Sequence, residues 1–377
     1  MSELPPEPGS ASEPNPGAEP VVGVGERTAA GEAVSRNSRR RARRRRRVAL
    51  VVGPLVVVLL AVVLWYELES HALGSAGPSE IITVHDGESV GAVVAALAAH
   101  HVIGSSLAFR ISDLVHGSPT LVPGEYQLHQ NETFAQVRAI LNGGPNIAAV
   151  TVDPGLTLSE VAQRVDGLLG HGGASFARTA ASGVVHSTFS PPGSNNLEGM
   201  LGTGTYTVLP GESDTAILTA MVRRFDTQAT AAGLSTSSAA ALGLTPYQVI
   251  VAASIVEKEG YILKNMPDVA RVIYNRLAAG TPLQMNATVL YSLGQDGGAV
   301  TAKDLKLQTP YNTYLNGGLT PTPICNPSMN AVSAAVHPPV GGWLFFVVVK
   351  KDGTEAFSNT FAEHLANEKL AQQRGVG

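Results

Sequence analysis

Ala252-Ala253-Ser254-Ile255-Val256-Glu257-Lys258-Glu259 puts three charges at the end of an otherwise apolar helix. The start of that helix is written just upstream. Thr245 suits an N-cap, Pro246 suits the first helical position, and Gln248 completes a capping box with Thr245. Val249 to Val256 is apolar on nearly every side, the pattern of a helix buried inside a domain, and Gly260 supplies a stop. Glu257 shares a face with Ile250, Ala253 and Ser254, so its carboxylate is expected in a partly desolvated place. Desolvation raises a carboxyl pKa and suits the group to general-acid work near neutral pH. At roughly 100° per residue, Glu259 lies about 200° around the helix from Glu257, so only one of the two can face a given substrate. The burial pattern assigns that place to Glu257 and points Glu259 elsewhere. Spacing alone also allows a plain solvated helix end with Lys258 pairing locally.

Beyond Gly260, Pro267 opens a helix over Asp268–Leu277. A polar run follows. Leu283-Gln284-Met285-Asn286-Ala287-Thr288 precedes a short helix through Ser292, and Gln308 to Tyr314 leads into Gly317 to Ile324. Amides, hydroxyls and tyrosines on Gly- and Pro-rich loops suit sugar recognition by hydrogen bonding and stacking, although ordinary turn chemistry draws on the same composition. Gln284, Asn286, Tyr311, Asn312, Thr313 and Tyr314 are the candidates there. Trp343 to Val349 reads as a buried strand that Lys351-Asp352-Gly353 turns into a hairpin with Phe357-Ser358, with a closing helix around His364 to Ala371.

Upstream, Thr83-Val84-His85-Asp86-Gly87 followed by Val93-Val94 matches Thr151-Val152-Asp153-Pro154-Gly155 followed by Val161-Ala162 at equal spacing. The chain therefore carries a diverged strand–turn–helix repeat. A strand at Gly124–Leu128 and a helix over Thr133–Leu141 lie between the copies. Such units resemble LysM modules, which grip peptidoglycan glycans; a plain packing platform fits them equally. His171 to Asn196 is rich in Gly, Ser, Thr and Pro and reads as a mobile surface segment, followed by a strand at Thr205–Val208 and a helix over Asp214–Thr230.

The chain has 377 residues and 44% hydrophobic content, enough for a sizeable core. Met1 to Gly31, rich in Pro, Gly, Glu and Ala, is expected to stay disordered. Eight arginines stand in the nine positions Arg39–Arg47, and the eighteen residues Val48–Trp65 carry no charge. That pairing reads as a single-pass membrane anchor with a cytoplasmic N-terminus and everything after Glu67 extracytoplasmic. Beyond residue 47 there are 16 basic and 24 acidic residues, a net of −8, a poor surface for nucleic acid. Cys325 is the only cysteine, so no internal disulfide can form, and it reads as a small core residue. The histidines lack ligand spacing, so neither a metal nor another cofactor is expected. The organisation expected is α+β: a disordered basic tail over 1–47, a membrane helix over 48–66 and a linker over 67–80. A LysM-like subdomain over 81–150 and a mixed α/β catalytic domain over 151–377, with its glutamate on a buried helix, complete it.

Several short motifs stand in one order: LEG at 197–199, ASIVEKE at 253–259, YNRL at 274–277, LQ at 283–284, PYNTY at 310–314, GLTPTPI at 318–324, NPS at 326–328, HP at 337–338 and EH at 363–364. Across roughly residues 81–371 the chain resembles the MltG (YceG-like) endolytic murein transglycosylases, membrane-anchored lyases of bacterial peptidoglycan. The resemblance implies that Glu257, first of the EKE run, is catalytic, that Glu198 and the loop residues named above bind substrate, and that glycan strands near the membrane are cut to leave 1,6-anhydro ends. It also implies cell-wall synthases as partners. The alternative is a non-catalytic, peptidoglycan-binding scaffold of the wall-synthesis machinery. Two departures from the family pattern stand out. Gly204 occupies the place of an acidic residue in a Pro-Asp-Thr-Tyr segment, and Asn286-Ala287-Thr288 replaces Asp-Pro-Thr.

Overall fold

The computed structural model describes residues 30–168, 170–260 and 262–376, with side chains from Arg44 onward apart from Arg47. The chain divides after Leu68 into two units. Helix α1 (Ala30–Ser70) makes up the described part of the first, and its Arg44–Ser70 portion is long and apolar enough to cross a membrane. Of the tail expected to lack structure, residues 1–29 lie outside the described residues, whereas from Ala30 the chain is already helical. Ala and Arg are strong helix formers, and extending an existing helix is far easier than nucleating one.

The second unit opens with β1 (Ser79–Val84), α2 (Val90–Ala99), α3 (Ser106–His116), β2 (Gly124–His129) and α4 (Phe134–Gly143). β1 and β2 pair antiparallel, with Ser79 opposite His129 and Val84 opposite Gly124. Side chains alternate across a strand, so Ile82, Val84, Tyr126 and Leu128 all turn inward, joining Val93, Leu97 and Phe109 in a buried core. Ser89, Ser105 and Thr133 start the three helices by accepting backbone N–H groups. The stretch expected as a linker over 67–80 is partly helical and partly docked. α1 runs to Ser70, and the residues before β1 are fastened to the hairpin: Asn131 Nδ2 donates to the carbonyls of Leu73 (3.1 Å) and Ser75 (3.3 Å), and Gly77 N–H donates to Gln130 O (2.8 Å). Backbone groups that find protein partners need no water, and the segment docks instead of floating.

The order strand–helix–helix–strand then recurs in β3 (Ala148–Val152), α5 (Leu158–Asp166), α6 (Gly173–Ala181) and β4 (Gly204–Val208), with β3 and β4 again antiparallel. β3 straddles the boundary expected at 150/151. The segment read as mobile over 171–196 contains α6, whose Phe176 and Ala180 lie four apart on one face and are buried, as is Val185 beyond it. The Gly and Ser around them masked a short amphipathic pattern.

Helices α7 (Asp214–Ala231), α8 (Thr236–Ala241), α9 (Pro246–Glu259), α10 (Met266–Ala278), α11 (Asn286–Ser292) and α12 (Met329–Val336) follow. The hairpin β5 (Phe345–Val348) and β6 (Glu355–Ser358) and the closing α13 (Phe361–Gln373) complete the chain. α9 is the wall between two apolar cores. Val249, Ile250 and Ala253 face Val150, Val161, Leu218 and Phe225, while Ala252, Ile255 and Val256 face Val269, Ile273, Leu283 and Met285. A helix with a core on each side must be apolar all round, which is why its sequence shows no polar face. The strand expected over 343–349 is shorter and only half-buried, because a two-stranded hairpin is covered on one face by α13 and α10. Cys325 is buried, with Sγ 3.4 Å from Ser254 O.

Candidate functional site

α9 starts as its sequence dictates: Thr245 and Gln248 form the reciprocal capping box. Near its end, Ser254 Oγ donates to Val251 O (2.7 Å) and accepts Ile324 N–H (3.0 Å), docking the loop before α12 onto the helix. One turn on, Glu257 Oε2 accepts both the backbone N–H (2.9 Å) and the Oγ–H (2.6 Å) of Ser328, the N-cap of α12. A carboxylate at a helix N-terminus meets unpaired N–H groups and the positive end of the dipole, so Glu257 is a clamp between α9 and α12.

The other glutamate opens onto a cleft of about 870 Å³ whose walls include Glu160 and Gln163 of α5, Glu198, Lys258 and Glu259 of α9, and Asn286 and Tyr291 of α11. Tyr311 and the glycine-rich loop 294–298 close it, and Glu257 is not among its lining residues. Glu259 is packed round by protein with an edge open to the cleft. Its Oε1 accepts Ala287 N–H (2.9 Å), and its Oε2 has no partner among the described residues. Burial raises its pKa above the ordinary carboxyl value, opposed by the bond from Ala287. Glu198 is only 7% exposed. Its Oε1 accepts Leu158 N–H (2.9 Å) and its Oε2 accepts the Tyr291 hydroxyl (3.2 Å). Burial pushes its pKa up to about 7 against the pull of those bonds. Tyr291 in turn lies 4.9 Å from Tyr311, ring centre to ring centre, and Tyr311 Oη is 2.8 Å from Thr322 Oγ1. At the cleft mouth, Lys258 pairs with Asp296 of the glycine-rich loop.

Two carboxyls whose pKa burial raises, one with an oxygen free of hydrogen bonds, are suited to exchanging a proton with a bound ligand. Among the described residues no three His, Cys, Asp or Glu side chains gather into a group that could hold a metal.

Of the residues the sequence singled out, the cleft brings together Glu198, Asn286 and Tyr311. Tyr314 stands behind Asn286, donating its hydroxyl to Asn286 Oδ1 (2.7 Å). Gln284 is exposed with φ of +55° and accepts from Arg276 Nη1 (3.1 Å) through its side-chain oxygen. Asn312 and Thr313 are buried and fully used inside the loops. Asn312 Nδ2 donates to Leu305 O and Leu307 O and its Oδ1 accepts Tyr314 N–H, while Thr313 Oγ1 accepts Met285 N–H. Of the two glutamates near the end of α9, Glu259 lines the cleft and Glu257 does not. The two do face apart, as the helical angle requires, but Ser328 claims Glu257. Tyr291 was missed, although Ala287, Leu290 and Tyr291 at i, i+3 and i+4 announce one face of α11. Asn326 was read only as part of a motif. It is buried, accepts Leu201 N–H (2.9 Å) and donates to Leu156 O (2.8 Å), tying the loops before β4 and α5 to the one before α12. At Gly204 φ is +131°, and a Cβ there would come 2.5 Å from Arg224 Nη1, so a cation stands where an acidic side chain would reach.

Comparison with known proteins gives this geometry its context. Residues 82–370 match the profile of the YceG-like family. The chain is 29% identical over 314 residues to the endolytic murein transglycosylase of Bacillus subtilis, covering 78% of this chain and 85% of that protein. It is 28% identical over 278 residues to the protein of the same name from Streptococcus pneumoniae, covering 66% of this chain but spanning only 50% of that longer relative. The crystal structure of a YceG-like protein from Listeria monocytogenes superposes with a TM-score of 0.50 at 26% identity, over 77% of this chain and 99% of that one. With most of its length matched by the family profile, and with relatives aligned along the same region, this chain belongs to the YceG-like family.

Proposed function

We propose that this chain cuts murein glycan strands internally as a lytic transglycosylase, the activity named for its Bacillus and Streptococcus relatives. The observation that carries the reading is Glu259, a carboxyl whose burial favours its protonated form while one oxygen stays open to the cleft. In this reading the Glu259 acid gives its proton to the glycosidic oxygen as the bond from that oxygen to the muramoyl anomeric carbon breaks. The resulting carboxylate then takes the proton of the muramoyl C6 hydroxyl, whose oxygen bonds to the same anomeric carbon and closes a 1,6-anhydro ring. No water is consumed and Glu259 ends as it began. One carboxyl serves as acid and then base, so no second nucleophilic carboxylate of the kind most glycoside hydrolases use is required.

The remaining roles follow from position. Glu198, its oxygens occupied by Leu158 and Tyr291, orients the Tyr291–Tyr311 wall on which a sugar can stack. Asn286, held by Tyr314, offers its amide to the glycan, with Gln284 at the rim. Asn312 and Thr313 shape the loops beneath. Glu257, the residue expected to be the acid, keeps α9 and α12 in register. The two strand–helix–helix–strand modules serve as LysM-like grips on the strand. The arginine run keeps the N-terminus cytoplasmic, so that α1 anchors an extracytoplasmic second unit beside the cell-wall synthases. A non-catalytic scaffold would have no use for a buried carboxyl open to the cleft.

The test is digestion of purified murein by the full chain in detergent, with the products analysed by mass spectrometry. New anhydro-muramoyl ends, lighter by one water than hydrolytic ends, are expected from within strands. Reducing ends, or no new ends, would refute the reading.

A further inference from the structure

The proposed reaction leaves Lys258 without a task. Among the described residues that line the cleft it is the only cation, set against the carboxyl groups of Glu160, Glu198, Glu259 and Asp296. It precedes Glu259 on α9, with Cα atoms about 3.8 Å apart and side chains about 100° apart around the helix, so its ammonium flanks the acid at the cleft mouth. The side chain is 20% exposed, and Nζ lies against the bare backbone of Gly155, 3.4 Å from where a Cβ would stand. A cation taken this far out of water needs an opposite charge beside it.

The partner it has is held loosely. Asp296 is 57% exposed and belongs to Gly294-Gln295-Asp296-Gly297-Gly298, where Gly297 and Gly298 take φ of +86° and +107°. Residues 297–300 make no hydrogen bond among the described residues, and the chain is next tied down where Asp304 accepts the N–H and Oγ1–H of Thr301. An ion pair with one member largely in water contributes little, so a competing carboxylate can replace Asp296 at small cost.

The chemistry of the strand supplies such a competitor. The muramoyl unit whose anomeric carbon and C6 hydroxyl meet Glu259 carries a lactyl group on O3. Its carboxyl is either free or joined to a peptide that bears carboxylates of its own. The N-acetylglucosamine on either side has none. In an acidic cleft a carboxylate is repelled by every charged neighbour except Lys258.

We propose that Lys258 binds a carboxylate of the muramoyl O3 substituent, displacing Asp296. The inference rests on the transglycosylase reading and deepens it. Lys258 is then the residue that tells a muramoyl unit from its neighbour and so sets the register in which the strand is cut.

The full chain in detergent is assayed on strands with peptide stems and on strands stripped of stems by an amidase, which frees each lactyl carboxyl. Each is used as it stands and with its carboxyls converted to amides. Wild type should show a KM about tenfold higher on the amide form, the lower end of what a hydrogen bond to a charged group contributes, with kcat little changed. A difference confined to the stem-bearing pair assigns the carboxylate to the peptide, and one in the stripped pair assigns it to the lactyl group. Lys258→Met should have the high KM on both forms. Asp296→Asn removes the competing anion and should lower KM several-fold on the carboxylate form only. The two variants therefore move KM in opposite directions, whereas a pair that only latched the loop would move it the same way whichever half is lost. Variants that move together overturn the inference, as does a Lys258→Met chain that still distinguishes carboxylate from amide. If the Met variant fails to fold, the direction of the Asp296→Asn change decides alone. Absence of anhydro ends from wild type on every strand overturns the proposed activity and this inference with it, whereas cutting with equal KM on carboxylate and amide forms overturns the inference alone.

Discussion

Replacing Glu257 and Glu259 by glutamine, one at a time, separates the clamp from the acid. Gln at 259 keeps the shape and can still accept the Ala287 N–H, but it has no proton to give. Loss of a general acid costs roughly 10²- to 10⁴-fold in rate. Stability should hold or rise slightly, because an ionisable group leaves a buried site. Gln at 257 has the opposite profile. Its amide oxygen can still accept from Ser328, but the charge that strengthens both bonds is gone, a loss of roughly 0.5 kcal/mol or more per bond plus some 0.3–1 kcal/mol of charge–dipole attraction at the start of α12. A loss of about 1–2 kcal/mol corresponds to a melting point lower by roughly 2–3 °C in a unit of this size. The rate of anhydro-end formation should change by no more than about tenfold, the equivalent of ~1.4 kcal/mol of misplacement at the cleft. Both variants are to be assayed on the same murein preparation, with melting followed by calorimetry. If Glu257→Gln is inactive with an unchanged melting point while Glu259→Gln still cleaves, the assignment from the cleft geometry is wrong and the residue read from the motif is the acid.

Two further outcomes follow from the geometry. Glu198 is raised from 4.5 to about 7 in the fold, so the folded chain binds that proton more tightly than the unfolded one. Its contribution is fully present below pH 4.5 and fades as pH rises through about 7, a total of roughly 3 kcal/mol. Urea denaturation of wild type and Glu198→Gln at about pH 5 and about pH 8 should show a steeper loss of stability with pH in the wild type, and an equal slope in both would refute the burial argument. Gly204→Ala should destabilise by roughly 1–3 kcal/mol, because at a φ of +131° a side chain is strained and its Cβ meets Arg224. Unchanged melting would show that the backbone relaxes there.

The sequence by itself determined the elements whose signals are local. The capping box at Thr245, the stop at Gly260 and the all-round apolar run between them specify α9, since caps and periodicity act within a few residues. The repeat at Thr83 and Thr151 likewise announced two like-built modules. Motif order carried the family. What sequence could not decide is which way a helix with no polar face is turned. The angle between Glu257 and Glu259 guarantees that they look apart. Which of them meets the cleft depends on Ser328, seventy-one residues on in the chain, arriving at the first, and on Ala287 and the walls of α5 and α11 arriving at the second. Phe176 in a Gly- and Ser-rich stretch, and Asn312 and Thr313 in polar loops, misled for the same reason. Burial is a property of what packs against a residue, and those partners come from distant segments that only the tertiary fold brings together.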